Sequence, residues 1–207
     1  MTEASTAQVD ISELVRKAKE GDDEAFGMLV EQYQDNIYGY VFRMLHDSDE
    51  AEDVAQEVFI RAYQNLAGFR EAASFPTWLY RIATNLAIDA ARARKSRRAN
   101  SFSLDEPMAT DEGELQRQVP ADRPGPAGLA ESSELQRIVA EAIAQLSARL
   151  RTVITLYDIE GLSYKEIAEV LGCPVGTVKS RLFNARNQLR DKLEEKIDVE
   201  NWLAELP

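Results

Sequence analysis

The sequence predicts an all-α protein made of two small helical domains joined by a flexible acidic linker. Apolar residues recur at intervals of three and four over most of residues 9–98, and again from residue 133 onward, which is the spacing of amphipathic helices. Between these parts, residues 99–133 hold four prolines and many acids without an apolar period, and such a segment cannot bury a core. We therefore expect a domain at 9–98, a linker at 99–133, a domain at 134–196 and a short tail at 197–207.

Three main helices are expected in the first domain. The first opens at Asp23 and carries a long apolar stripe with helical spacing. The second should be N-capped by Ser48, have acids in its first turn and end near Gly68. The third should run from Pro76 to about Arg97.

The segment GLSYKEIAEVLGCPVGTVKSRLFNARNQLR, residues 161–190, predicts a helix-turn-helix. A short amphipathic helix from Tyr164 to Val170 precedes a turn in which Gly172 permits a positive φ. Pro174 suits the first turn of a second helix, because its missing N–H costs nothing there. Two helices joined by three or four residues with a glycine are typical of this motif, whose second helix enters the DNA major groove.

The second helix of this motif carries several basic residues, and no acid occurs between residues 174 and 190. Its apolar stripe of Val178, Leu182, Ala185 and Leu189 indicates the side that faces the core. The alternative is that the basic residues form only a solvated face. Turn chemistry, charge and core stripe agree, and together they favour DNA binding.

The third helix of the first domain interleaves aromatic and basic residues. Aromatic rings stack on unpaired bases while arginines pair with phosphates, so this mixture suits single-stranded DNA. The alternative is a core role for Trp78, Leu79, Ile82 and Leu86, and we accept it for the last three. Tyr80, Arg81 and Asn85 fall off that stripe and are expected at the surface.

Composition excludes several classes of protein. No apolar run is long enough for a membrane span, and the polar start lacks a signal-peptide core. One cysteine and one histidine exclude an internal disulfide and a Cys/His zinc cluster. Cys173 is expected as a small buried residue, and no catalytic constellation or cofactor motif is present. These absences favour a binding protein without a cofactor or metal.

The net charge of −12 is unusual for a DNA-binding protein, but its distribution is uneven. Residues 75–98 carry six basic residues and one acid, whereas the first 74 residues and the linker are strongly acidic. DNA would be drawn to the local basic tracts, while the acidic remainder would disfavour tight binding of duplex DNA by the chain alone. An acidic surface also suits a large basic protein partner.

Four separate segments in order resemble the extracytoplasmic-function sigma factors of bacterial RNA polymerase, near the sigma-E type. AFGMLVEQYQDNIYGYVFRML is similar to the first conserved helix of sigma region two. DEAEDVAQEVFIRAYQNL is similar to the polymerase-binding helix, and FREAASFPTWLYRIATNLAIDAARARKSRR to the promoter-melting and −10 segment. Residues 161–190 resemble region four, the −35 reader.

The resemblance implies roles for matching positions in three sets. Contacts with core polymerase, at the clamp coiled coil of the β′ subunit, are implied for Asp49, Glu52, Asp53, Gln56 and Glu57. Contacts with the melted −10 strand are implied for Phe69, Arg70, Ser74, Tyr80, Arg81, Asn85, Arg92, Arg94 and Lys95. Contacts with −35 duplex are implied for Pro174, Thr177, Lys179, Ser180, Arg181, Phe183, Asn184 and Arg186.

Two positions depart from the family pattern. The family usually has arginine where this chain has Asn184, which changes the expected base preference because asparagine prefers the adenine edge. The family also usually has Leu-Pro where this chain has Leu146-Ser147. Serine is a competent N-cap, so the following helix should still begin there.

The resemblance implies an alternative sigma factor that recognises −35 and −10 elements and promotes promoter opening, in an envelope or stress response. Implied partners are core RNA polymerase (β′ clamp and β flap), promoter DNA and an anti-sigma factor, with a cytoplasmic location and no membrane insertion. Rival interpretations are a free-standing helix-turn-helix regulator, an enzyme with an appended DNA-binding domain, and a decoy that only sequesters an anti-sigma factor.

Overall fold

In the computed structural model, residues 10–70, 73–101 and 127–194 are described, with side chains in 10–70, 73–97 and 135–194. These ranges contain helices and turns but no strand. The helices are α1 (Ile11–Lys19), α2 (Asp23–Leu45), α3 (Ser48–Asn65), α4 (Phe75–Ser101), α5 (Ala127–Ala144), α6 (Ala148–Ile154), α7 (Tyr164–Leu171) and α8 (Val175–Glu194). A 3-10 turn (Leu66–Gly68) follows α3, and a π-helical turn (Thr155–Ile159) follows α6.

In the first domain, α2 packs against α1, α3 and α4. Its predicted apolar stripe lies in the core, where Ile37, Tyr40 and Val41 are fully buried. The Tyr40 hydroxyl forms a 2.7 Å hydrogen bond with the Thr84 hydroxyl on α4. The buried polar group is therefore satisfied, and this contact ties α2 to the helix with the aromatic and basic residues.

The N-cap of α3 is Asp47, and the prediction of Ser48 was wrong by one residue. The Asp47 backbone is extended, and its carboxylate accepts the backbone N–H of Glu50 at 3.0 Å. Ser48 is already the first helical residue. Aspartate and serine cap about equally well, so the sequence alone could not distinguish these neighbours.

The second domain contains the predicted helix-turn-helix. Ser163 caps α7 in a capping box, because its hydroxyl accepts the Glu166 N–H while the Glu166 carboxylate accepts the Ser163 N–H. Gly172 ends α7 with φ +59°, as the turn required, and Cys173 beside it is half-buried. α6 begins after Ser147 as expected, although the Ser147 side chain makes no capping hydrogen bond.

The helices that flank the predicted linker reach further than the sequence indicated. α4 continues to Ser101, and α5 begins at Ala127, ahead of the expected restart at residue 133. The remaining linker residues, 102–126, and the predicted tail at 197–207 lie outside the described residues.

The two domains contact each other, which the sequence did not indicate. α4 packs against α7, and α2 touches α5 and α6. Buried residues from both domains form one continuous cluster. Arg151 of α6 also donates a 2.9 Å hydrogen bond to the backbone oxygen of Met44 at the end of α2.

Candidate nucleic-acid interface

The N-terminal half of α8 presents one face to solvent. Val178, Leu182 and Ala185 are buried, so the opposite side of the helix points outward. Phe183 is 66% exposed, which is unusual for a phenylalanine, and Asn184 beside it is also exposed. An outward aromatic and amide in the N-terminal half of the second helix of a helix-turn-helix suit contact with the DNA groove.

The structure brings the predicted −35 residues together on and beside this face. The exposed members are Pro174, Lys179, Ser180, Phe183, Asn184 and Arg186, and the half-buried members are Thr177 and Arg181. The Ser180 hydroxyl donates to the backbone oxygen of Thr177 at 3.0 Å and so holds the first turn of the helix.

A pair of stacked tyrosines supports two of these basic residues, and the sequence analysis missed it. The rings of Tyr157 and Tyr164 stack with centroids 4.8 Å apart. Lys179 lies 5.6 Å from the centre of the Tyr164 ring, and Arg186 lies 5.1 Å from that of Tyr157. Arg186 also pairs with Asp158, and these contacts hold two cations beside the exposed face.

On α4, several predicted −10 residues are at the surface. Arg81 and Asn85 are exposed one turn apart, and Arg92 is exposed further along, within 3.7 Å of Asp89. Lys95 is exposed near the end of the basic tract. Before the helix, Arg70 and Ser74 are exposed, while residues 71 and 72 between them lie outside the described residues.

Phe69 does not have the exposed ring that its predicted role in base capture requires. It is 5% exposed and packs against Phe75 and Trp78, with ring centroids 6.0 and 5.0 Å away. Lys19 further fixes its backbone oxygen with a 3.0 Å hydrogen bond. The ring is therefore part of an aromatic core cluster in this structure.

Tyr80 is buried, and the expectation that it lies at the surface was wrong. It is 5% exposed, with its ring edge-on to Tyr40 and its hydroxyl donating to Glu160 of the second domain at 2.5 Å. Burial, together with the hydrogen bond to the charged Glu160 carboxylate, raises the pKa of Tyr80. The residue that covers it is eighty positions away in the sequence, so helical periodicity could not reveal it.

Arg94 has a structural role that the sequence did not indicate. It donates to the backbone oxygen of Leu45 at 3.0 Å and to the Glu50 carboxylate at 3.2 Å. These contacts tie α4 to the end of α2 and the start of α3. Arg94 is thus not free to contact a DNA backbone in this structure.

The predicted polymerase-binding residues line one exposed face of α3. Asp49, Glu52, Asp53 and Gln56 are exposed, and the Glu57 side chain is 41% exposed in a 2.7 Å ion pair with Arg61. Ile60 continues the same face and is 50% exposed. An acidic face that includes a solvent-exposed aliphatic side chain is typical of a protein-binding surface.

Within 10–70, 73–101 and 127–194, every helix is too short or too polar to cross a lipid bilayer.

Comparisons with protein families place both domains in one superfamily. Residues 29–97 match the family described as Sigma-70 region 2, and residues 136–189 match Sigma-70, region 4. The first match covers most of α2 together with α3 and α4, and the second covers the helix-turn-helix.

Relatives align with this chain over nearly their whole length. The chain is 43% identical to the ECF RNA polymerase sigma factor SigW of Bacillus subtilis over 89% of this chain and 97% of that protein. It is 40% identical to the ECF RNA polymerase sigma-E factor of Escherichia coli, over 95% of this chain and 99% of that one.

Two solved structures have a similar fold. CnrH in complex with the cytosolic domain of CnrY matches with a TM-score of 0.66 and 27% identity, over 91% of this chain and 100% of that one. The sigma factor RpoE in complex with the anti-sigma factor NepR from Bartonella quintana matches with a TM-score of 0.61 and 24% identity, over 84% of this chain and 98% of that one.

Proposed function

Because this chain belongs to the ECF RNA polymerase sigma factors, we propose that it directs core RNA polymerase to promoters by reading their −35 and −10 elements and promoting strand opening. The observation that carries this function is the presence of both sigma domains in order, each with an exposed face of suitable chemistry. The chain acts as a non-catalytic initiation factor, and the polymerase performs the chemistry.

The −35 element is read by α8. Its N-terminal half carries Lys179, Ser180, Phe183 and Asn184 on the outward face, with Arg186 at its edge. Lysine and arginine supply phosphate contacts, while the amide of Asn184 has the donor and acceptor that match an adenine edge.

The −10 element is captured as a single strand along α4. Arg81 and Asn85 contact a flipped base and its backbone, and Arg92 and Lys95 extend the basic track. Binding energy for flipped bases offsets the few kcal/mol of unstacking that strand opening costs. Tyr80 joins this surface only when Glu160 withdraws from it, whereas Phe69 supports the surface from beneath.

Core polymerase binds the exposed face of α3. Asp49, Glu52, Asp53, Gln56 and Glu57 dock on the β′ clamp, and the second domain rests on the β flap. The acids also suit the N-terminus of α3, where the helix dipole favours negative charge. The family resemblance supports a role for these acids in a partner surface, in addition to helix stability.

An anti-sigma factor regulates the chain in an envelope or stress response. Support comes from the family and from CnrH, which was solved in complex with the cytosolic domain of CnrY. The chain works in the cytoplasm, where an anti-sigma factor can hold it at the inner membrane.

Run-off transcription tests the function. Core polymerase plus this chain, on a promoter library, should give transcripts that start downstream of a shared pair of −35 and −10 sequences. Core polymerase alone should not select these promoters. Absence of selected transcripts, combined with sequence-specific duplex binding by the chain alone, would favour the free-standing regulator instead.

A further inference from the structure

A row of four side chains runs along the surface of the helix-turn-helix. Lys179 and Arg186 lie seven residues apart on α8, which is nearly two full turns, so both point to the same side of that helix. Between them, the rings of Tyr164 and Tyr157 stack at an angle of 11° with centroids 4.8 Å apart. Lys179 lies over the first ring and Arg186 over the second. We call these four residues the cation–tyrosine row.

The row joins three consecutive segments of the chain. Tyr157 belongs to the π-helical turn, Tyr164 is the first residue of α7, and the two cations belong to α8. Asp158, next to Tyr157, closes one end of the row, because it accepts from the Arg186 Nε at 3.2 Å and pairs with the rest of the guanidinium. The positions of the two cations are therefore coupled to the packing of the turn and α7 against α8.

The cation–tyrosine row lies outside the core of the second domain. The stripe that includes Val178 fixes the buried side of α8, whereas both tyrosines are half-buried and both cations are exposed. An aliphatic side chain could replace the apolar contact that such a ring makes with the core. It could not hold a cation, because only an aromatic face attracts one through its quadrupole.

We propose that Tyr157 and Tyr164 are positioning residues for −35 recognition, an inference that rests on the function proposed for α8. Long cationic side chains lose conformational entropy when they bind phosphates, and this loss lowers the affinity. The two rings hold Lys179 and Arg186 beside the exposed face before DNA arrives, so less freedom is lost on binding. The tyrosines act through the cations, and neither needs to touch DNA.

Holoenzymes with two substitutions at one position test this role. Tyr157→Leu keeps an apolar side chain against the core but removes the ring, whereas Tyr157→Phe keeps the ring and removes only the hydroxyl. On a promoter with its −35 element, Tyr157→Leu should lower the affinity by about threefold to tenfold, and Tyr157→Phe should bind as the parent does. On a pre-melted template without a −35 element, all three holoenzymes should bind equally. An equal loss on both templates would overturn the proposal.

Tyr38→Leu is the matched control. Tyr38 is also a stacked surface tyrosine, 39% exposed with its ring 6.2 Å from that of Phe42, but it belongs to α2 of the first domain. This variant should keep the affinity of the parent for the −35 promoter. Circular dichroism checks the helicity of each variant. If Tyr157→Leu loses helicity, Tyr164→Leu removes the other ring and tests the same row.

Salt dependence distinguishes positioning from direct contact with DNA. Tyr157→Leu retains both cations, so log affinity should fall with log salt at the same slope as in the parent. Lys179→Met removes a cation and should make the slope shallower by about one unit. A shallower slope in Tyr157→Leu would contradict the positioning role.

The cation–tyrosine row can also be observed in the free full-length chain by NMR. Ring currents displace the signals of protons that lie over an aromatic face. The Arg186 side-chain signals should be displaced in the parent and in Tyr157→Phe, and should return towards random-coil positions in Tyr157→Leu. Unchanged Arg186 signals in Tyr157→Leu would overturn the proposal, and this readout requires neither polymerase nor promoter.

The affinities also distinguish failure of this inference from failure of the proposed function. Parent-like affinity of Tyr157→Leu for the −35 promoter, or an equal loss in the Leu and Phe variants, would overturn the positioning role alone. A parent holoenzyme that shows no preference for the −35 promoter would overturn the proposed function itself, and this inference with it.

Discussion

His46 lies in an environment that disfavours the charged form of its imidazole. It ends α2 in the left-handed conformation, with φ +53°. Burial, with the nearby charges of Arg151 and Arg94, lowers the pKa of His46 to about 4. In the unfolded chain, the same imidazole titrates near its ordinary value of about 6.5.

This difference predicts a pH dependence with a defined sign. Between pH of about 6.5 and about 4, the unfolded chain binds a proton that the folded chain does not, so the free energy of unfolding falls as the pH falls. His46→Asn keeps a residue that tolerates the left-handed conformation but removes the imidazole. Urea unfolding at pH 7 and pH 5 should show a smaller loss of stability in this variant than in the wild type. Equal losses in both proteins would contradict the assigned burial.

Asn184 is the −35 residue at which we expect this chain to depart from the family pattern. It is exposed, as its position opposite the core stripe of α8 predicted. Asn184→Arg should shift the preference towards guanine at one −35 position, by about 1–3 kcal/mol if the arginine reaches a base edge. If it reaches a phosphate instead, all sequences should bind more tightly and the salt dependence should steepen by about one unit.

Selection of −35 variants by the wild-type and Asn184→Arg holoenzymes, at two salt concentrations, separates these outcomes. The buried stripe of α8 is untouched, so circular dichroism should be unchanged. If neither preference nor salt dependence changes, Asn184 does not contact DNA.

Among the elements, the turn of the helix-turn-helix depends on the left-handed conformation of Gly172. A Cβ added there would meet no atom within 4 Å, so any cost comes from the backbone alone. Gly172→Ala should lower the free energy of unfolding by about 1–2 kcal/mol. Gly27→Ala is the matched control, because Gly27 lies within α2 with equally open space and a helical backbone. In Gly27→Ala the free energy of unfolding should rise by about 0.5–1 kcal/mol. Thermal or urea unfolding measures both variants. If both substitutions lower the free energy of unfolding, steric contacts rather than the backbone conformation control the effect.

The exposed face of α3 should bind polymerase without contributing much to the fold. Asp53→Lys with Glu57→Lys reverses two charges on this face, one of them in an exposed ion pair with Arg61 that contributes little to stability. Core binding in a pull-down should fall sharply, while circular dichroism should show nearly unchanged helicity. Loss of helicity with loss of binding would assign these acids a structural role.

For the whole molecule, the net charge of −12 predicts dependence on the polymerase. Acids outside the basic tracts repel duplex DNA, so the chain alone should bind a promoter weakly. With core polymerase, binding should become strong and specific, because the partner contacts the acidic face and supplies further DNA contacts. Fluorescence anisotropy on one labelled promoter, with and without core polymerase, measures this difference. Equal affinity under both conditions would contradict it.

The sequence by itself determined the helical class, the two domains, the helix-turn-helix and the outward position of Asn184. These features depend on local rules. An apolar residue every three or four positions defines the buried side of a helix, and Gly172 defines the turn. Where two neighbours obey the same rule equally well, as Asp47 and Ser48 do for the cap of α3, the sequence could not choose between them.

Only the tertiary structure decided how the candidate site is divided between exposed and buried groups. Tyr80, Phe69 and Arg94 were expected on the same −10 surface as Arg81 and Asn85, yet the first three are held by other parts of the chain. Glu160 meets Arg43 across 117 residues of sequence, and Arg94 reaches Leu45 across 49. A periodic pattern reports only neighbours within a few turns of one helix, so contacts at such separations, and the burial that follows from them, arise only when the helices pack.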